Sequence, residues 1–250
     1  MAAKKTLPVQ AGKTTNKIDV SLETLLEAGA HFGHHYRRWN PKMREYLYAV
    51  KDGVYVFDLI KTKAALEEAL EAIEKTASEG KVILFIGTKK QAKEKVKEVA
   101  EACESPYVIE RWLGGTLTNF DQIKRTVAQI DDLTEIIKTA KEQGFTKKER
   151  LMMTRKLEKL KRMFGGIKTM SKHPDLMIII DTHGERGAVA EADVAGITTV
   201  GVVDSNANPK EVDYPVPMND DASKSLDYVL DLFKEAVLSG KKLQAKKLKS

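Results

Sequence analysis

Three histidines, His31, His34 and His35, fall within five residues of one another, and Asp52 and Asp58 follow a short distance downstream. Imidazoles with nearby carboxylates are the raw material of a metal site, or of a general base with its orienting acid. The rest of the chain gives that chemistry little support. No second His or Cys group stands at a ligand spacing, and the other two histidines, His173 and His183, lie far along the chain. Histidines in such a setting are more often packing or hydrogen-bonding residues. Asp181 and Asp204 each follow an apolar run, where a doubly wound fold places metal or phosphoacceptor carboxylates, although acids there more often cap the next helix or loop. Gly87-Thr88-Lys89-Lys90 could hold an anion on helix amides, but it lacks the further glycines of a phosphate fingerprint, so the plainer reading is a turn with surface lysines. Gly12-Lys13-Thr14 lacks the glycine a phosphate loop needs at position 7, which is Leu7, and no buried strand precedes it. There is no Gly-x-Ser-x-Gly elbow.

Two basic stretches differ in kind. From His31 to Arg44 no acid interrupts Arg37, Arg38, Lys42 and Arg44, which are interleaved with Phe32, Tyr36 and Trp39. Guanidinium forks for phosphates beside aromatic faces for bases or sugars are the combination RNA recognition uses, with His34 and Trp39 as further candidate contacts. The competing reading buries Phe32 and Trp39 and leaves the arginines merely solvated. The second stretch, Lys147 to Arg162, holds Lys147, Lys148, Arg150, Arg155, Lys156, Lys159, Lys161 and Arg162 against only Glu149 and Glu158, a net charge of +6. Residues 120–143 hold four basic and five acidic side chains, so one helix of a pair could lie along a phosphate backbone, with charge complementarity between the two helices as the alternative.

The elements that must position these residues follow from periodicity. Ser21 caps a short helix whose apolar face is Leu22, Leu25 and Leu26. Tyr46–Val50 and Val54–Asp58 flank Lys51-Asp52-Gly53 and predict a β-hairpin. Helix and strand then alternate: a helix at Thr62–Glu79, a strand at Val82–Ile86, a helix at Lys90–Cys103, and a short strand at Tyr107–Ile109. Beyond a helical interruption come a strand at Leu176–Ile180, a helix at Glu185–Ala195, a strand at Thr198–Val203, and a closing helix from about Ala222 to Leu238. Strands that are continuous apolar runs, separated by amphipathic helices, imply a mainly parallel sheet covered on both faces, a three-layer α/β sandwich. In the interruption, Ile123, Val127, Ile130, Leu133 and Ile137 alternate spacings of four and three, and Met153, Leu157, Leu160 and Phe164 repeat the pattern. Gly144 ends the first helix and Thr146-Lys147-Lys148-Glu149 starts the second as a capping box, which predicts an antiparallel coiled-coil hairpin inserted at residues 119–164. The expected organisation is one discontinuous α/β domain, 21–118 with 165–239, between a flexible basic extension at 1–20 and a flexible Lys-rich tail at 240–250.

The 250 residues, 42% hydrophobic, are enough for a real core. The formal charge of +6 is concentrated at the ends: residues 1–20 carry +3 and 240–250 carry +5, which leaves −2 for 21–239. A near-neutral body with basic tails suits partial embedding in a polyanion, though solubility alone explains charged tails. The single Cys103 excludes an internal disulfide and points to a reducing compartment. No apolar run reaches the length of a membrane span, and the N-terminus lacks the apolar region of a signal peptide, so the chain is expected to be cytoplasmic.

The longest motifs are residues 25–34, Leu-Leu-Glu-Ala-Gly-Ala-His-Phe-Gly-His, residues 38–43, Arg-Trp-Asn-Pro-Lys-Met, and residues 111–120, Arg-Trp-Leu-Gly-Gly-Thr-Leu-Thr-Asn-Phe. Gly165-Gly166-Ile167, residues 213–217 (Asp-Tyr-Pro-Val-Pro) and residues 219–222 (Asn-Asp-Asp-Ala) follow in the same order. In these runs, from about Ser21 to Leu238, the sequence resembles the bacterial type of the family of small-subunit ribosomal protein number two. The resemblance implies a flavodoxin-like sheet with an inserted coiled-coil hairpin, bound to small-subunit ribosomal RNA on the solvent side between head and body. It implies no catalytic residues, no cofactor and no small-molecule substrate. Neighbouring ribosomal proteins are implied as partners, including the large RNA-binding protein numbered one. The sequence departs from the family at residues 181–187, Asp-Thr-His-Gly-Glu-Arg-Gly, where an Asp-rich, His-containing stretch is more usual, and in a longer extension before Ile18. A nucleotide-dependent or phosphoacceptor enzyme using Gly87, Asp181 and Asp204, and a free-standing RNA-binding regulator, are the alternatives.

Overall fold

A computed structural model describes residues 18–139 and 144–247. The expectations for residues 1–17 and 248–250 therefore lie outside the described residues. Leu25 buries the short helix α1 (Leu22–Glu27), and the Ser21 hydroxyl accepts the Thr24 amide at its N-cap. Strands β1 (Phe32–His35), β2 (Leu47–Lys51) and β3 (Val54–Phe57) form a small antiparallel sheet in the order β1-β3-β2, with the predicted hairpin as its β2–β3 half. Two short 3-10 turns, Tyr36–Arg38 and Pro41–Tyr46, link β1 to β2.

The main sheet is built from β4 (Ile83–Ile86), β5 (Tyr107–Val108), β6 (Leu176–Ile179), β7 (Thr198–Val203) and β8 (Tyr214–Pro217). All four pairings are parallel and the spatial order is β5-β4-β6-β7-β8. Numbered within the sheet this is 2-1-3-4-5, the order shared by flavodoxin-like proteins, with its topological switch point at β4 and β6. Each strand is apolar on both faces because each face has its own core. Ile83, Phe85, Leu176 and Ile178 pack with α2 (Leu59–Ser78), α3 (Lys93–Ala102) and α7 (Ser223–Lys247) on one side. Leu84, Ile86, Met177 and Ile179 pack on the other with Trp112, Leu117 and α6 (Arg186–Ala195). That period of two between two buried faces makes the three layers.

Helices α4 (Phe120–Thr139) and α5 (Lys147–Phe164) pack against each other, with Ile123, Ile130, Leu157 and Phe164 buried in the second core. Thr146 and Glu149 form the expected reciprocal capping box. Three parts of the chain differ from expectation, the first being Phe32–His35, where no strand is expected from the sequence and which pairs antiparallel with β3. Tyr214–Pro217 is a strand despite two prolines, which an edge strand bonded on one side tolerates. The closing helix, expected to stop near Leu238, runs on to Lys247, so the tail expected to be flexible from 240 is helical through 247. Its last turns run against α2 at Gly240, where a Cβ would come within 2.5 Å of the Ala77 Cβ.

Candidate nucleic-acid interface

The C-terminal ends of the parallel strands, where this architecture commonly places a ligand, carry a dense ion cluster. Lys89 follows β4, Asp181 follows β6, Asp204 follows β7, and Asp220 and Asp221 follow β8. The Lys89 ammonium, 18% exposed, lies 2.6 Å from Asp220 Oδ1, 2.6 Å from Asp221 Oδ1 and 3.9 Å from Asp181 Oδ2. It is therefore not one of the surface lysines expected in the Gly87 turn. Burial disfavours its charge, but the bonds to Asp220 and Asp221 outweigh that and raise its pKa. Burial, reinforced by the Asp204 and Asp181 carboxylates and opposed by Lys89, pushes the Asp220 carboxyl up to about 8. Glu185, bonded by the Thr88 hydroxyl, is also buried and raised by burial.

His34 joins this cluster from the small sheet. Its Nδ1 lies 3.0 Å from Asp204 Oδ1, and its Nε2 lies 3.6 Å from Asp221 Oδ2. Of the three histidines it is His34 that meets this cluster, and its acid is Asp204, not Asp52 or Asp58; Asp58 instead caps α2 by accepting the Ile60 amide. The bond to Asp204 raises the His34 pKa. Asp204 is 1% exposed; burial pulls its pKa up, yet His34 and the Ser205 and Asp220 amides bring it below the ordinary value. Lys89 and His34 are thus already engaged by the carboxylates that surround them. A phosphate entering here would meet Asp181, Asp204, Asp220 and Asp221, so the turn after β4 is a poor anion site.

The neighbouring segment has the opposite character. Arg37, Arg38, Lys42 and Arg44 are exposed, and none of them forms an ion pair among the described residues. Arg37 lies over the Tyr36 ring, 5.7 Å from its centroid, and its Nε donates to the Tyr36 hydroxyl. Trp39 is half-buried against Tyr55, with ring centroids 5.0 Å apart. Phe32, by contrast, is 49% exposed, and Tyr36 is exposed beside it. The alternative that buried both Phe32 and Trp39 accounts for Trp39 only in part and for Phe32 not at all.

Helix α5 repeats the pattern at larger scale. Lys147, Lys148, Arg155, Lys156, Lys159, Lys161 and Arg162 are all exposed, and among the described residues none is ion-paired. Charge complementarity with α4 therefore does not use them. The bridge that does reach α4, Lys168 to Asp131, starts beyond the end of α5. The two basic stretches belong to separate parts of the fold, one beside the small sheet and one on the helix pair.

One organising residue escaped the sequence reading. The Glu191 carboxylate on α6 accepts the Trp112 indole N–H at 3.0 Å and the amides of Gly115, Leu117 and Thr118 at 2.8, 2.9 and 3.2 Å. Burial opposes its ionisation, but these donors hold its pKa below the ordinary value. They fix the loop from Arg111 that leads into α4. An acid set directly beside the buried Ala192 and close to the buried Ala188 and Val189 of α6 is the signal the sequence offers.

Compared with known proteins, residues 25–240 match the family described as Ribosomal protein S2. The small ribosomal subunit protein uS2 of a Nitratiruptor species is 44% identical over 229 residues, covering 92% of this chain and 86% of its own length. The proteins of the same description from Helicobacter hepaticus and Rhodospirillum centenum are 45% and 46% identical, covering 89% and 88% of this chain and 84% of each relative.

Proposed function

The chain belongs to the ribosomal protein S2 family, and from that premise we propose that it is a structural constituent of the small ribosomal subunit, acting without catalysis. Its partners are the RNA and proteins of that subunit, with ribosomes in the cytoplasm as its place. The contacts we assign to ribosomal RNA are Arg37, Arg38, Trp39, Lys42 and Arg44 beside the small sheet, and Lys147, Lys148, Arg155, Lys159 and Arg162 along α5. The observation that carries the assignment is that these cations are exposed and, among the described residues, lack carboxylate partners, whereas Lys89 and His34 at the strand ends have them. Unpaired guanidinium and ammonium groups keep their full capacity to displace counterions from a phosphate backbone.

In this reading α4 and α5 form an antiparallel coiled-coil hairpin on a flavodoxin-like body, with α5 lying along RNA. The seams Ile123, Ile130, Leu157 and Phe164 support it. Ile136, Leu151 and Met152, exposed on the same two helices, suit a protein neighbour, and the large RNA-binding protein numbered one is our candidate. A nucleotide-dependent reading is disfavoured by the carboxylates that ring the strand ends. Sedimentation of cell extract at low salt tests the assignment. The chain is expected to travel with small subunits in near-stoichiometric amount, and a free pool with no subunit-bound fraction would overturn it.

A further inference from the structure

We infer that His34 is a positioning residue: by engaging Asp204 and Asp221 it fixes the stretch His34–Asn40, and with it Arg37 and Arg38, against the ends of the parallel strands in the orientation presented to ribosomal RNA. The inference rests on the RNA contacts proposed above and assigns His34, itself a candidate contact from sequence, a task inside the protein.

The stretch His34–Asn40 is pinned at both ends by one residue of the loop after β7. The His34 amide donates to the Ser205 hydroxyl at 2.8 Å, and the Asn40 amide donates to the Ser205 carbonyl at 2.7 Å. Between those anchors, the Arg37 amide bonds only locally, to His35 Nδ1. The approach of β1 to this loop is so close that a Cβ on Gly33 would lie 2.9 Å from Ser205 Oγ. Ser205 is in turn held by Asp204, which takes its amide as well as the Asp220 amide and the His34 ring. Asp204 is buried and held from three directions, so its carboxylate is a fixed reference point. The His34 ring, 19% exposed, ties the basic segment to that point.

The charged groups facing His34 are Asp204 after β7 and Asp220 and Asp221 after β8, with Lys89 after β4 bonded to the latter two. These acids favour the imidazolium. The Nδ1–H bond to Asp204 is available to the neutral ring as well, so loss of the proton weakens the tether without abolishing it.

The test uses full-length protein and in vitro transcribed small-subunit ribosomal RNA, titrated between pH 6 and 9 at fixed salt. Five proteins are compared: wild type, His34→Ala, His34→Asn, Arg37→Ala/Arg38→Ala, and the triple variant combining His34→Ala with both arginine changes. His34→Ala is expected to weaken binding about tenfold, and the arginine pair by more. The triple variant is expected to bind within about twofold of the arginine pair, because with both arginines removed the tether has nothing left to present. His34→Asn retains a donor toward Asp204 and is expected to restore affinity, with a smaller decline than wild type shows as pH rises through the folded His34 pKa. Additive losses in the triple variant, or the same pH decline in His34→Asn, would overturn the inference even if His34→Ala folds poorly. Arginine changes without effect would remove this segment from the RNA interface, and the positioning task with it.

Discussion

The strand ends and the outer face of α5 use the same residue types to opposite ends. Around Lys89 and His34, five acids, Asp181, Glu185, Asp204, Asp220 and Asp221, crowd two basic groups, and the Asp220 carboxyl is pushed up to about 8. Along α5, seven exposed cations have no ion-pair partner among the described residues. The first arrangement spends its charge on holding loops together. The second leaves its charge available to a partner. In this fold the place where related architectures hold a ligand is filled by the chain's own side chains, and the unpaired cations through which we propose recognition lie at the periphery.

This contrast breaks most sharply at Asp204. Asp204→Ala removes the acceptor for the His34 ring and for the Ser205 and Asp220 amides, and an expected loss of about 3 kcal/mol of folding stability is measurable by urea unfolding. A loss under about 0.5 kcal/mol would show that the cluster is not the fastener described. Changing Lys147, Lys148, Arg155, Lys159 and Arg162 together to Gln should leave stability nearly unchanged and weaken RNA binding by about 2 kcal/mol at low salt. If each contacts one phosphate, the slope of log affinity against log salt falls by about 4 to 5.

A smaller effect separates the regions by pH. The folded pKa of His34 is raised above 6.5, so its contribution to stability is fully present below 6.5 and is lost as pH rises through the folded value. The raised Asp220 acts in the same direction: its contribution, complete below 3.8, is lost as pH rises through about 8. The urea midpoint of wild type should therefore fall between pH 6.5 and 9, by the equivalent of about 1 kcal/mol, and less in His34→Asn. The smallest effect is expected at Lys138→Ala, which breaks an exposed pair with Glu135 and should change stability by no more than about 0.5 kcal/mol.

Much of the layered body was legible because its signals are local. Apolar runs such as Leu176–Ile180 and the capping box at Thr146 declare themselves within a few residues. Tyr214–Pro217 carries no strand signal because proline penalises a central strand, and its place at the sheet edge is a tertiary fact. The His34–Asp204 contact is not legible in the sequence for a related reason: its partners stand 170 residues apart, whereas Asp52 and Asp58 are the acids nearer to the histidines. Lys89, Asp181, Asp204 and Asp220 each follow a strand closely, and parallel topology brings such positions together. The exposed state of the α5 cations needed the fold as well, since sequence alone left pairing with α4 open.

Lysine-reactivity footprinting, comparing the free chain with the chain in assembled small subunits, tests the central claim most directly. Lys42, Lys147, Lys148 and Lys159 should react readily in the free protein and be strongly protected in the subunit, while Lys89 should react slowly in both. Unchanged reactivity along α5 and at Lys42, with new protection confined to the strand ends, would contradict the account.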